Sequence, residues 1–156
     1  MFLKVKFTSQ DTQLVYEQRE KPFAYKKGDS GIDLSYAPAD YNNSEDVVIN
    51  PGQTVMIPTG VCCQLESGDD QYEIQVRGRS GLNAKGIMTH IGTVDYTYTG
   101  EIKVVMTNLT DKPVTFVPGD RIAQIVVCPI LKPEIEYVTN LEDTDRGSKG
   151  FGSSGL

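Results

Sequence analysis

Turn-forming residues cut this chain into pieces too short for most helices. Pro51-Gly52, Pro58-Thr59-Gly60, Ser67-Gly68-Asp69-Asp70, Asp111-Lys112-Pro113 and Pro118-Gly119-Asp120 recur along it, and each combines residues that preset or permit turn geometry. Between them lie β-branched runs at Val47 to Ile49, Val55 to Ile57, Val61 to Leu65, Ile102 to Met106 and Ile122 to Ile130. Leu3, Val5 and Phe7 alternate with Lys4, Lys6 and Thr8, and Tyr72, Ile74 and Val76 with Glu73, Gln75 and Arg77. That is the period of a half-buried strand. Many short strands set apart by such turns predict an all-β sandwich, barrel or jelly roll. One short helix is expected around Ser80 to Lys85, kept brief by Gly81 and Gly86. Ala37 to Asp46 is polar and acidic and reads as a surface loop.

Composition narrows the function. With 156 residues, 38% of them hydrophobic, the chain can bury one full core as one domain. Its net charge of -6 argues against a nucleic-acid backbone as partner, because such binding rests on a basic surface. A small phosphorylated ligand stays open, since it needs only a few local cations. Cys62, Cys63 and Cys128 are a poor disulfide framework, being odd in number with two adjacent. With no Cys-x-x-Cys pair and His90 as the sole histidine, a structural zinc site is not expected. The first residues lack the apolar core of a secretion signal, and no stretch reaches membrane-spanning length. The expectation is a soluble, cytoplasmic protein with no membrane partner.

Familiar hydrolytic machinery is missing. A histidine-activated nucleophile would have to use His90, which sits between Thr89 and Ile91 and reads as structural. The Gly-x-x-x-x-Gly-Lys phosphate loop does not occur. Five dispersed segments suit a phosphorylated ligand instead. Asp29-Ser30-Gly31-Ile32-Asp33-Leu34 sets Asp33 on the opposite side from its apolar neighbours. Gly78-Arg79-Ser80-Gly81-Leu82 leaves a strand and enters the short helix, offering a guanidinium fork, a hydroxyl and helix-start amides. Gly92 to Gly100 has the look of a β-hairpin, with Asp95 able to orient or deprotonate a water and Tyr98 offering a flat face for a sugar. Pro118 to Gln124 is a turn running into an apolar strand where Gln124, if buried, needs partners. The tail from Arg146 to Gly155 holds four glycines, Arg146, Lys149 and serines around a lone Phe151. On composition it is a disordered end; the aromatic among anion-binding groups favours a lid that closes over a ligand with a planar ring.

These five segments, in this order, resemble the five motifs of the trimeric dUTP pyrophosphatase family, from about Asp29 to Gly155. The resemblance implies a distorted β jelly roll (β-clip) over 1–142, a C-terminal arm over 143–156, and a homotrimer whose arms are exchanged and whose active sites lie between subunits. It implies hydrolysis of dUTP to dUMP and pyrophosphate with Mg²⁺, lowering dUTP and supplying dUMP for dTMP synthesis. Asp95 then matches the residue that activates the attacking water, and Tyr98 the ring under the deoxyribose. Gly92, Val94 and Lys103 match the backbone that reads uracil. Arg79, Ser80, Gly81 and Gln124 match the triphosphate site. Arg146, Gly152, Ser153 and Ser154 match the γ-phosphate clamp, with Phe151 stacked over the base, and Asp33 a carboxylate reaching Mg²⁺ through water.

The chain departs from the family pattern in three places. Gly78 stands where proline is usual and should loosen that turn; Thr97 stands where a second acid is common; and the connection from Lys85 to Asp95 is shorter. A related deaminase of dCTP shares the fold but needs a glutamate where this chain has Val105. A nucleotide-sensing regulator on the same scaffold is the other alternative, with the Ala37 to Asp46 loop as the surface for a regulatory protein partner.

Overall fold

A computed structural model describes residues 1–18, 23–25, 27–66, 68 and 70–148. The alternating segments form strands as their period requires. β1 (Phe2–Phe7) pairs antiparallel with β4 (Thr54–Glu66), which pairs with β8 (Glu101–Asn108), which pairs with β6 (Ile87–Thr89). A second four-stranded sheet runs β2 (Ile32–Ser35), β10 (Arg121–Pro129), β5 (Tyr72–Gly78), β7 (Gly92–Val94). A third, two-stranded sheet joins β3 (Val47–Ile49) to β9 (Val114–Phe116). Ile57, Val61, Val104 and Met106 of the first sheet and Leu34, Ile74, Val76 and Ile125 of the second share one buried core. The architecture is the expected all-β jelly roll.

Two turn assignments are corrected. Pro58-Thr59-Gly60 does not end a strand. It is an irregularity inside β4, where the register against β8 shifts between Pro58 and Val61, and Gly60 takes a φ of 66° that only glycine adopts readily. Continuing the strand keeps Ile57 and Val61 both buried. Gly92 to Gly100 is not a hairpin either. β7 pairs with β5 and β8 with β4 and β6, so the segment between them passes from one sheet to the other. Corners of this kind let a sandwich bury both flanking strands, here through Val94 and Ile102.

The expected short helix is present as α2 (Ser80–Asn83). A second helix, α1 (Gln10–Glu17), was not anticipated. Its signal is the cap at Ser9, whose Oγ accepts from Thr12 N, and the spacing of Thr12, Val15 and Tyr16, all buried. The Tyr16 hydroxyl donates to Thr59 O at 2.9 Å and accepts from Ser35 N at 3.1 Å, tying α1 to β4 and β2. Tyr16→Phe would leave a buried amide and a buried carbonyl short of a partner, costing about 1–3 kcal/mol. A clear fall in melting temperature at fixed protein concentration is the expected result; an unchanged melt would remove this tie from the account.

The Ala37 to Asp46 loop is exposed from Ala39 to Asn43, with Ala37 and Pro38 buried at its root. It is latched to α1: Ser9 Oγ donates to Ala39 O, and Tyr41 N donates to Asp11 Oδ2. Beyond β10, residues 131–148 carry no helix or strand and are exposed. Among the described residues no helix is long and apolar enough to cross a membrane, and the three cysteines are free.

Candidate active site

Asp33 lies on β2 between buried Ile32 and Leu34, so the alternation of the strand turns its carboxylate away from the core. There it joins β5 and β10. Arg79 Nε donates to Asp33 Oδ1 at 3.2 Å, and Arg121 Nη1 to Asp33 Oδ2 at 3.0 Å. Arg79 Nη1 also donates to Arg121 O at 3.1 Å. One carboxylate therefore fixes two guanidinium groups side by side, with Arg79 Nη2 left unbonded among the described residues. Arg121 was not among the residues singled out from sequence. Its signal was its place beside Gln124 in the same motif, one bulge away in register.

These residues line a cleft of about 770 Å³ together with Ser80, Gly81, Lys85, Gln124 and the 28–31 segment. The cations Arg79, Lys85 and Arg121 outnumber the carboxylates Asp29 and Asp33 there, which favours an anion despite the net charge of -6. The hydrogen bonds of α2 begin at Leu82 N, leaving the amides of Ser80 and Gly81 unused by the helix. Gln124 is held by its Nε2, which donates to Gly78 O at 3.1 Å. Gly31 has no room for a side chain, because a Cβ there would lie 2.6 Å from Gln124 Oε1 and 2.9 Å from Ile125 O.

Gly78 faces the Asn83 side chain. A Cβ built on it would meet the Asn83 amide at 2.5 Å, so Asn83 occupies the space a side chain at 78 would take. Asn83 Oδ1 also accepts from Thr89 N at 3.4 Å, linking α2 to β6.

A second cleft, of about 480 Å³, is lined by Met56, Val76, Gly92, Thr93, Val94, Asp95, Tyr98, Glu101, Ile102 and Lys103. None of these lines the first cleft. β7 is the outer strand of its sheet, so one edge of its backbone is open to a ligand. Asp95 directly follows β7 and is exposed. Its backbone oxygen accepts from Tyr98 N at 3.0 Å, closing a turn, while its carboxylate has no partner among the described residues. The Tyr98 hydroxyl donates to Glu101 O at 2.9 Å. Glu101 is pinned in turn, its Oε1 accepting from Gly60 N at 2.8 Å and its Oε2 lying 4.0 Å from Lys103 Nζ. His90 faces elsewhere: its Nε2 lies 2.8 Å from Thr107 Oγ1.

Arg146 is exposed in the segment after β10. Phe151, Gly152, Ser153 and Ser154 lie outside the described residues. No group of three or more His, Cys, Asp and Glu side chains able to hold a metal occurs among the described residues.

A jelly roll with one cationic cleft and a second cleft at an open strand edge beside an unpaired carboxylate defines an all-β protein equipped for a phosphorylated ligand. Comparison with known proteins narrows this. The dUTPase family model matches residues 22–155, and the chain belongs to the dUTPase family. It is 41% identical over 143 residues to the deoxyuridine 5'-triphosphate nucleotidohydrolase of Hydrogenobaculum sp. (strain Y04AAS1), covering 90% of this chain and 93% of that one. With the corresponding protein of Bdellovibrio bacteriovorus it shares 45% identity over 112 residues, 70% of this chain and 73% of that one. Among solved structures it is similar to the dUTPase of Staphylococcus bacteriophage 80alpha with dUPNHPP, at 27% identity and a TM-score of 0.77 over 99% of both chains. The dUTPase of phage phi11 of S. aureus, described with a structural Mg(II) ion, shares the fold at 22% identity and a TM-score of 0.72, covering 92% of this chain and all of that one.

Proposed function

We propose that this chain hydrolyses dUTP to dUMP and pyrophosphate, with each active site assembled from different subunits of a homotrimer. The observation that carries this reading is the division of its candidate residues between two separate clefts. Triphosphate groups suit the first, with Arg79, Ser80, Gly81 and Gln124 (and Arg121 beside them). The base, the sugar and the water suit the second, with Gly92, Val94, Asp95, Tyr98 and Lys103. A nucleoside triphosphate needs both, so the first cleft of one chain faces the second cleft of its neighbour.

Exposed apolar side chains support subunit packing. Met56 and Val105 are opposite each other on β4 and β8, and Met88 extends the same face from β6; Met56 is 63% exposed. Leu131 and Tyr137, in the segment after β10, are each 95% exposed. A lone chain would leave these in water, and neighbouring copies would cover them. We assign 143–156 as the exchanged arm, with Arg146, Gly152, Ser153 and Ser154 clamping the γ-phosphate and Phe151 stacking on the base.

In the reaction, the Asp95 carboxylate takes a proton from a water placed in line with the α-phosphorus. The water oxygen bonds to that phosphorus as its bond to the β-bridging oxygen breaks, and pyrophosphate leaves against the cations of the first cleft. The open edge of β7 hydrogen-bonds uracil as a neighbouring strand would, and Tyr98 lies under the deoxyribose. Mg²⁺ fits this residue set as an ion carried by the triphosphate, because both Asp33 oxygens already accept from arginines and no cage of protein ligands exists among the described residues. Asp33 would reach it through water, and the ion would neutralise phosphate charge. The setting we assign is cytoplasmic.

The test is incubation of the purified protein with Mg²⁺ and each common dNTP, and UTP, with products identified. dUMP and pyrophosphate from dUTP alone are expected. Ammonia from dCTP would overturn the reading in favour of deamination, which lacks its glutamate here at Val105. Tight dUTP binding without turnover would favour a sensing role, with the Ala37 to Asp46 loop as the surface for a protein partner.

A further inference from the structure

Gly100 lies against the hydroxyl end of the Tyr98 side chain. A Cβ built at Gly100 would come within 2.5 Å of the Tyr98 hydroxyl, 2.7 Å of Cζ and 3.1 Å of Cε2. Those distances are too short for any real contact, so a side chain there and the present ring position exclude each other. The glycine is not required for backbone freedom, since Gly100 is not among the residues with positive φ. It is required for space. Two hydrogen bonds define the ring's position: Tyr98 N on Asp95 O at 3.0 Å, and the hydroxyl on Glu101 O at 2.9 Å. Tyr98 is 47% exposed, which leaves the ring room to swing outward.

We infer that Gly100 is a specificity-determining position for the sugar: its missing side chain lets the Tyr98 ring keep its hydrogen-bonded place in the lining of the second cleft, so that the ring can act as the wall against which a 2′-hydroxyl would collide. The inference rests on the proposed role of Tyr98 in dUTP hydrolysis. Gly100→Ala pushes the ring and hydroxyl off Glu101 without straining the backbone. Because the ring moves into solvent rather than into the core, melting temperature stays near that of the unaltered chain. What changes is the ratio of kcat/KM for dUTP over UTP, which falls by about 10- to 100-fold, the range one misplaced packing contact commands in a fitted pocket.

The experiment measures that ratio for the unaltered chain, Gly100→Ala, Tyr98→Ala and the double variant, and solves the crystal structure of Gly100→Ala. The unaltered chain and Tyr98→Ala alone decide whether dUTP is the substrate and Tyr98 the sugar wall. Gly100→Ala decides the inference. Its ratio must fall, and in the Tyr98→Ala background the same change must add nothing, because no ring remains to displace. An unchanged ratio, equal loss on both nucleotides, or a further fall in the double variant would overturn it. So would a structure of Gly100→Ala with the Tyr98 hydroxyl still on Glu101 O, an outcome that does not depend on the substrate.

Discussion

Asp95→Asn is expected to cut turnover of dUTP by at least about 10²–10⁴-fold, the usual contribution of a positioned general base, while nucleotide binding survives. The carboxylate stands just after β7, the residue's own backbone oxygen closes the turn to Tyr98, and the side chain has no hydrogen-bond partner among the described residues. Asparagine keeps its size and loses only the ability to take a proton. The measurement is a pair: single-turnover rate with dUTP, and affinity for a non-hydrolysable analogue. A rate close to that of the unaltered chain would remove Asp95 from the chemistry. A matching loss of analogue affinity would make it a binding residue instead.

Arg79→Ala is expected to act through binding as well as rate. Its guanidinium is held by Asp33 and by Arg121 O, with Nη2 unbonded among the described residues and, in the proposed function, turned to the triphosphate. Hydrogen bonds to charged groups contribute about 1.5–3 kcal/mol each. Losing two to phosphate oxygens lowers kcat/KM by about 10²-fold or more, with both KM and kcat affected. The variant also leaves Asp33 paired with Arg121 alone, so part of the loss comes from a cleft whose remaining cation is less firmly placed. Analogue affinity unchanged in Arg79→Ala would show that the triphosphate lies elsewhere.

Much of this arrangement was legible in the sequence, for reasons particular to each segment. Strand positions such as Tyr72 to Arg77 announce themselves because one face is buried and the other wet. Asp33 could be assigned to the opposite face from Ile32 and Leu34 because strand alternation allows nothing else. The five motifs supplied the candidate site residues mainly through their order, since each local signal alone also fits an ordinary turn or tail. Helix α1 was missed because its buried side comprises only Thr12, Val15 and Tyr16, a period too brief to stand out beside a β-rich chain. The switch between sheets at Gly92 to Gly100 was missed because a corner and a hairpin use the same turn residues; what separates them is which distant strand each arm pairs with. Arg121 was missed for a similar reason. Its partner Asp33 is 88 positions away in sequence, and only the β2–β10 pairing brings them together.

Gly78 and Asn83 have a consequence for how this lineage could have changed. With the Asn83 amide 2.5 Å from where a Cβ at position 78 would sit, neither residue can be replaced as though the other were absent. A proline arriving first at 78 would displace Asn83 from Thr89 N. An alanine arriving first at 83 would leave a gap against a bare glycine. The order of substitution is therefore constrained at both ends, and the two positions are expected to travel through descent as a pair, their coupling set by one side chain filling the space another gave up.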